Sequence, residues 1–332
     1  MRSNPLKISS TQEYGILERT VQPFRSDVAV SPLPGQQFAD AVDAQLGRTT
    51  SKDVYIYVHG YKVQFENPVL VASELWNFLG YEGVFAAYSW PATRKTLAYW
   101  SDLDDALNSA RGLRMLITYL AENTEAERVH VIGYSAGTQL VARALADLGL
   151  YGWFLDEQEI KRRAKLGNVI LVGSDVDRSV LGGYILDGAL RVPSALTIYI
   201  SSADSALDLS KRIFLRERAG QVFADEERSD AHDEFLRQNP ELRVIDVSDA
   251  ESGTSGSGHG YLRESPWVSS DVIMTLLYDL SPEDRGLVHR PGSPIWAFPP
   301  DYPERLGASL ARARPEIAAD SSIALPGARI SD

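Results

Sequence analysis

Apolar residues along this chain follow two alternating spacings. Short unbroken runs of β-branched and aromatic residues recur, separated by longer stretches whose apolar positions fall three or four apart. The first run is Asp53-Val54-Tyr55-Ile56-Tyr57-Val58, apolar on both faces as a central parallel strand requires. Further runs at 83–91, 129–132, 168–173, 195–200 and 242–247 predict strands. Between them the spacing predicts helices. Phe38, Val42 and Leu46 mark a short one, and Val71, Leu75 and Phe78 a stripe within 68–79. Leu103, Ala106, Leu107, Ala110, Leu113, Ile117 and Leu120 mark a long helix over 102–121. Another follows Ser135 to about residue 148, and a last spans 268–280 with Val272, Ile273, Leu276 and Leu277 inside. Strands alternating with helices predict an α/β fold, a mostly parallel central sheet with helices on both faces.

The ends of the chain read differently. Residues 1–50 form an N-terminal edge segment, with an edge strand expected at 14–21 and a Pro/Gly loop at 32–35. The main domain spans 51–281. Beyond it prolines recur at 282, 291, 294, 299, 300, 303, 315 and 326, which predicts an extended tail over 282–332. Order is expected there only where Trp296, Phe298 and Tyr302 pack onto the body. Stretches 151–166 and 216–238 fit lids or solvated connections, and the charge of the second favours a solvated connection.

Composition narrows the chemistry. With 332 residues there is room for one large α/β domain or two smaller ones. The absence of cysteine excludes disulfides, thiol catalysis and thiolate metal sites. A formal charge of -12 argues against nucleic acid or an anionic membrane as partner. No apolar run is long enough to span a bilayer. The start lacks the apolar core of a signal peptide, which favours a cytoplasmic protein unless a leader precedes it. Oligomeric state is not readable from the chain.

The chemically useful residues fall at the carboxyl ends of the predicted strands, where parallel sheets bind ligands: His59, Ser135, Asp175, Asp204 and His259. Ser135 sits in Gly133-Tyr134-Ser135-Ala136-Gly137, between a strand and a helix, the setting of a nucleophile elbow. A serine hydroxyl needs a base within hydrogen-bond reach and a third group to orient that base. Of five histidines, His130 lies inside a strand, His232 in a charged stretch and His289 near the tail. His259, on a Gly-rich loop after the last strand, is the candidate base. Asp204, one strand before it, is the favoured acid, and Asp175, one strand earlier again, is the alternative. The amides of Ala136 and Tyr61 are the expected oxyanion donors, with Gly60 letting the backbone approach substrate. His59 then orients this loop rather than acting as base. Gly60, Phe65, Trp90 and Tyr134 are candidate substrate contacts, with Tyr99, Trp100 and Trp153 as further pocket aromatics. No histidine pair has metal-ligand spacing, and no cofactor or metal is expected.

Several blocks together carry a resemblance. Val58-His59-Gly60-Tyr61-Lys62-Val63-Gln64-Phe65, Tyr88-Ser89-Trp90-Pro91-Ala92 and the elbow are similar, in order, to those of the DUF900 esterase/lipase-like group of alpha/beta hydrolases. So are Ser174-Asp175-Val176-Asp177, the stretch from Tyr199 through Asp204 to Leu207, and Gly258-His259-Gly260-Tyr261. Lys62 and the Tyr134-Ser135-Ala136 triplet depart from the family's usual residues and bear on pocket shape. The resemblance implies an alpha/beta-hydrolase fold and serine hydrolysis of small-molecule carboxylic esters. Thioesterase, amidase or acyltransferase chemistry uses the same triad, and a non-catalytic binding protein is the remaining alternative.

Overall fold

A computed structural model of the chain describes residues 11–14, 33–61, 66–91, 99–202, 219, 230–250 and 260–313. The expected edge strand at 14–21 lies, past Tyr14, outside the described residues. The chain divides into two compact units, Met1–Gly167 with Tyr184–Pro193, and Asn168–Gly183 with Ser194–Asp332.

The first unit is built on three parallel strands in the order β2-β1-β3: β1 (Asp53–Val58), β2 (Val84–Tyr88) and β3 (Arg128–Tyr134). Strand β1 lies between the other two and is buried at every position, as its two-faced apolar run requires. In register, Val58 faces Tyr88 on one side and Gly133 on the other, so the three strands end side by side. Helices α1 (Leu33–Leu46), α2 (Glu66–Phe78), α3 (Tyr99–Asn123), α4 (Gly137–Tyr151) and α5 (Glu157–Ala164) complete the unit. Helix α3 buries Ala110, Leu113, Ile117 and Leu120 as its spacing predicts, and packs on α4.

Two expectations need correction here. Helix α1 starts inside the expected loop, because Pro34 falls in its first turn, where a missing N–H breaks no helical bond. In α2 the buried stripe runs through Ala72 and Leu75 to Leu79, while Phe78 is 51% exposed. The stretch 151–166 holds α5, whose start is capped by Asp156 accepting from the Glu159 N–H at 2.8 Å.

The second unit orders its strands β4-β5-β6-β8-β7: β4 (Leu166–Val172), β5 (Ala195–Ile200), β6 (Leu242–Asp246), β7 (Val288–His289) and β8 (Trp296–Ala297). All pair in parallel except the β7/β8 hairpin. Its helices are α7 (Asp230–Gln238), α8 (Tyr261–Glu264), α9 (Pro266–Tyr278), α10 (Tyr302–Ala313) and the first part, to Gly183, of α6 (Arg178–Leu186). The proline-rich stretch is therefore more than an extended tail. Trp296 of β8 pairs with Ile245, adding a strand to the sheet, and α10 buries Tyr302, Leu306 and Leu310. The prolines mark turns between elements, and Pro303 again occupies a first helical turn.

A fully buried network fastens this addition. Arg285 and Asp271, both 0% exposed, pair at 2.6 Å, and the Tyr199 hydroxyl donates to the same carboxylate at 2.5 Å. Arg285 also donates to the Leu280 carbonyl at 2.6 Å. A buried charge pair of this kind costs desolvation unless its hydrogen bonds are filled, as they are here. Among the described residues, no helix is long and apolar enough to cross a membrane.

Candidate functional site

Ser135 stands directly after β3 with φ +53°, in the left-handed region that side chains disfavour. Such backbone costs on the order of 1–3 kcal/mol and persists only when its surroundings hold it. Two features hold it here. Thr138 donates to the Ser135 carbonyl through its N–H at 3.0 Å and its hydroxyl at 2.6 Å. Gly137 is pressed against the end of β1, so that a Cβ there would sit 2.3 Å from the His59 carbonyl oxygen. Only glycine permits that approach, and it brings the elbow against the loop after β1.

The loop approaches from the other side in the same way. A Cβ on Gly60 would lie 2.8 Å from the Ser135 Cβ and 3.1 Å from the Tyr134 carbonyl oxygen. The Gly60 backbone therefore borders the serine directly, with Tyr61 following it. Ala136 begins α4 at φ −56° and ψ −26°, so its N–H belongs to a helix N-terminus, where backbone donors are free for an anion. Tyr134 is half-buried and its ring edges Gly60.

His59 is buried and serves this loop. Its Nδ1 lies 2.7 Å from the Gly60 carbonyl and its Nε2 accepts from the Trp90 N–H at 3.2 Å. With Nε2 an acceptor, Nδ1 carries the proton and donates, which defines a neutral imidazole. Burial pushes the ring below its ordinary basicity, against the hydrogen bonds to Gly60 and Trp90. Trp90 lies flat on it, ring centroids 5.4 Å apart, and returns its indole N–H to the His59 carbonyl at 2.8 Å. Trp90 is itself 4% exposed, so its indole is committed to His59.

The structure thus gathers His59, Gly60, Tyr134, Ser135, Ala136 and Trp90 in the first unit. Phe65 lies outside the described residues, as do the side chains of Tyr99 and Trp100. Trp153 is 54% exposed, beyond the end of α4. His130, expected inside a strand, is fully buried, stacked on Tyr55, with Nε2 3.5 Å from Asp53.

In the second unit, Asp175 is buried just beyond β4. Its neighbour Asp177 caps α6, accepting from the Ser179 N–H at 2.8 Å. Asp204 and His259 lie outside the described residues. The flanks of the His259 loop are nonetheless fastened. Before it, Ala250 accepts from the Ser265 hydroxyl at 2.8 Å. After it, the buried Tyr261 hydroxyl accepts from the Gly173 N–H at 2.6 Å and meets the Tyr199 carbonyl at 3.2 Å. Gly173 leads into Asp175, and Tyr199 lies on the strand that leads to Asp204. Tyr261 therefore ties the start of α8 to the end of β4 and to β5. The roles of Thr138, Ser265 and Tyr261 escape sequence reading because each acts through a hydrogen bond to backbone, which no residue pattern marks.

A serine in left-handed backbone between a parallel strand and a helix, on a chain of alternating strands and helices, defines an alpha/beta hydrolase architecture. The chain belongs to DUF900, a family of alpha/beta hydrolases of unknown function, whose model matches residues 36–276. It is 35% identical over 83 residues to an uncharacterized protein of Nostoc sp.; the match covers 24% of this chain and 22% of that relative's length. Two solved structures of an esterase from Thermogutta terrifontis are also similar. Its esterase 2 phosphoramylated by tabun is 12% identical, covers 69% of this chain and 81% of its own, and has a TM-score of 0.37. The native form is 14% identical, covers 71% and 84%, and has a TM-score of 0.36.

Proposed function

We propose that the protein is a cofactor-independent serine hydrolase acting on small carboxylic esters. The observation that carries this reading is Ser135 itself, held at φ +53° with the Gly60 backbone against it. Strain of this kind lifts the hydroxyl clear of the backbone, as a nucleophile elbow requires. In this reading the Ser135 oxygen attacks the ester carbonyl and His259 takes its proton as general base. The amides of Ala136 and Tyr61 stabilise the oxyanion. The alcohol leaves with the proton that His259 returns, and water then cleaves the acyl-enzyme with His259 acting again. Asp204 orients His259, with Asp175 as the alternative acid. Gly60, Phe65 and Tyr134 border the substrate, and Trp90 acts through His59.

The engagement of both His59 ring nitrogens with backbone groups supports a role in orienting this loop rather than as base. The test is covalent labelling with a fluorophosphonate probe followed by peptide mass spectrometry. A single adduct on Ser135, lost in Ser135→Ala, is the expected result. A folded wild-type protein that takes up no label overturns the reading.

A further inference from the structure

The second unit contains a cleft of about 690 Å³ at the amino end of β6. None of the described residues lining it is a candidate catalytic residue, so this cleft is a separate feature. Its volume lies within the range of small-molecule sites, roughly 300–1,000 Å³. Arg243 from β6, Arg237 from the end of α7, and His289 and Arg290 from the hairpin line it. None of the described residues lining it is acidic, although the whole chain carries a formal charge of -12.

Two of these arginines are already paired. Arg290 holds Asp246 at 2.5 Å, and Arg237 lies 3.8 Å from Asp233 and 3.5 Å from Glu234. Arg243 differs. Its Nη1 is sealed from solvent and has no hydrogen-bond acceptor. Burial, then the charge of Arg285, push its guanidinium below the ordinary value, against the attraction of Asp279 and Asp271. Those carboxylates are committed elsewhere: Asp271 to Arg285 and Tyr199, and Asp279 to the Asn168 side chain at 2.8 Å. Arg243 lines the cleft, so an oxyanion there meets the part of the guanidinium that faces it and adds counter-charge to a half-desolvated cation. Beside it, Trp296 stacks on His289 with centroids 3.7 Å apart, giving a flat platform walled by proline and leucine.

We propose that this cleft binds a small organic anion, its carboxylate or phosphate on Arg243 and its flat apolar body against Trp296. The cleft owes nothing to Ser135, so the site stands apart from the hydrolytic reading.

Calorimetric titration of the full chain with 2-naphthoate, 2-naphthyl phosphate, inorganic phosphate and the neutral 2-naphthalenemethanol tests this. The two aryl anions are expected to bind with submillimolar Kd, and the neutral arene and inorganic phosphate at least about tenfold more weakly. The tighter aryl anion identifies the head group. Arg243→Met is expected to weaken aryl-anion binding at least tenfold, Arg243→Lys to restore part of it, and Ser135→Ala to leave it unchanged. Arg237→Gln, at the exposed rim, provides a variant that leaves the packed interior untouched and is expected to weaken binding a few-fold. Equal affinity for the neutral arene, unchanged binding in a folded Arg243→Met, or no aryl-anion binding to the wild type overturns the proposal.

Discussion

Glycine and aspartate at single positions carry much of the local argument. Gly60 has no room for a methyl group, since the nearest atom is the Ser135 Cβ at 2.8 Å. Gly60→Ala is expected to displace the serine and lower kcat/KM on an ester by about 10²-fold, because misplacement by an ångström costs that much. Steady-state kinetics checks this. Asp53 makes a different prediction. Burial raises its carboxyl, but contacts with His130 and the paired Arg128 more than offset this and hold it at about 2, below the usual 3.8. The folded chain thus binds fewer protons than the unfolded chain between those values. The resulting stabilisation, about 2 kcal/mol, is complete above roughly pH 4 and is lost as pH falls toward 2. Urea unfolding of wild type and Asp53→Asn from pH 7 to pH 3 is expected to show a stability gap that narrows as pH falls. The elbow at Ser135 was legible in advance because its five letters stand between a strand and a helix. The Asp53 cluster was not, because Arg128 pairs with it across 75 residues of sequence.

Individual elements show where periodicity speaks and where it is silent. Strands β1 and β5 are readable because each is short and dominated by β-branched and aromatic residues, and β6 is read through Val244 and Ile245 despite Arg243 and Asp246. The two-residue strands β7 and β8 carry no period at all, so the proline count dominated the reading of that region. Phe78 and Leu79 exchange places because one residue at a helix end rotates the buried face by 100°. Helix α9 has a stronger signature in its Ser-Pro start. The Ser265 side chain accepts from the Val268 N–H at 3.5 Å while donating to Ala250. Ser265→Ala is expected to cost about 1 kcal/mol of stability through the lost cap. Chemical denaturation measures that cost.

On the scale of the whole molecule, family and class of fold were legible, while the acid was left between two strands. Asp204 and Asp175 follow successive parallel strands, and Tyr261 touches the chain leading to each, so neither pattern nor these contacts separates them. The buried Arg285 was invisible for another reason: its partner Asp271 lies on α9 with nothing in the local sequence to mark the pair. Arg285→Met is expected to destabilise the protein by about 3–5 kcal/mol, since it leaves a buried carboxylate without its cation. Thermal unfolding measured on the full chain tests that figure. The central claim is that Ser135 is the nucleophile of an ester hydrolase. Its most direct test is the rate of p-nitrophenyl acetate and butyrate hydrolysis by wild type and by folded Ser135→Ala. The account predicts turnover by the wild type and a loss of at least about 10³-fold in kcat in the variant. Equal rates for the two proteins would contradict it.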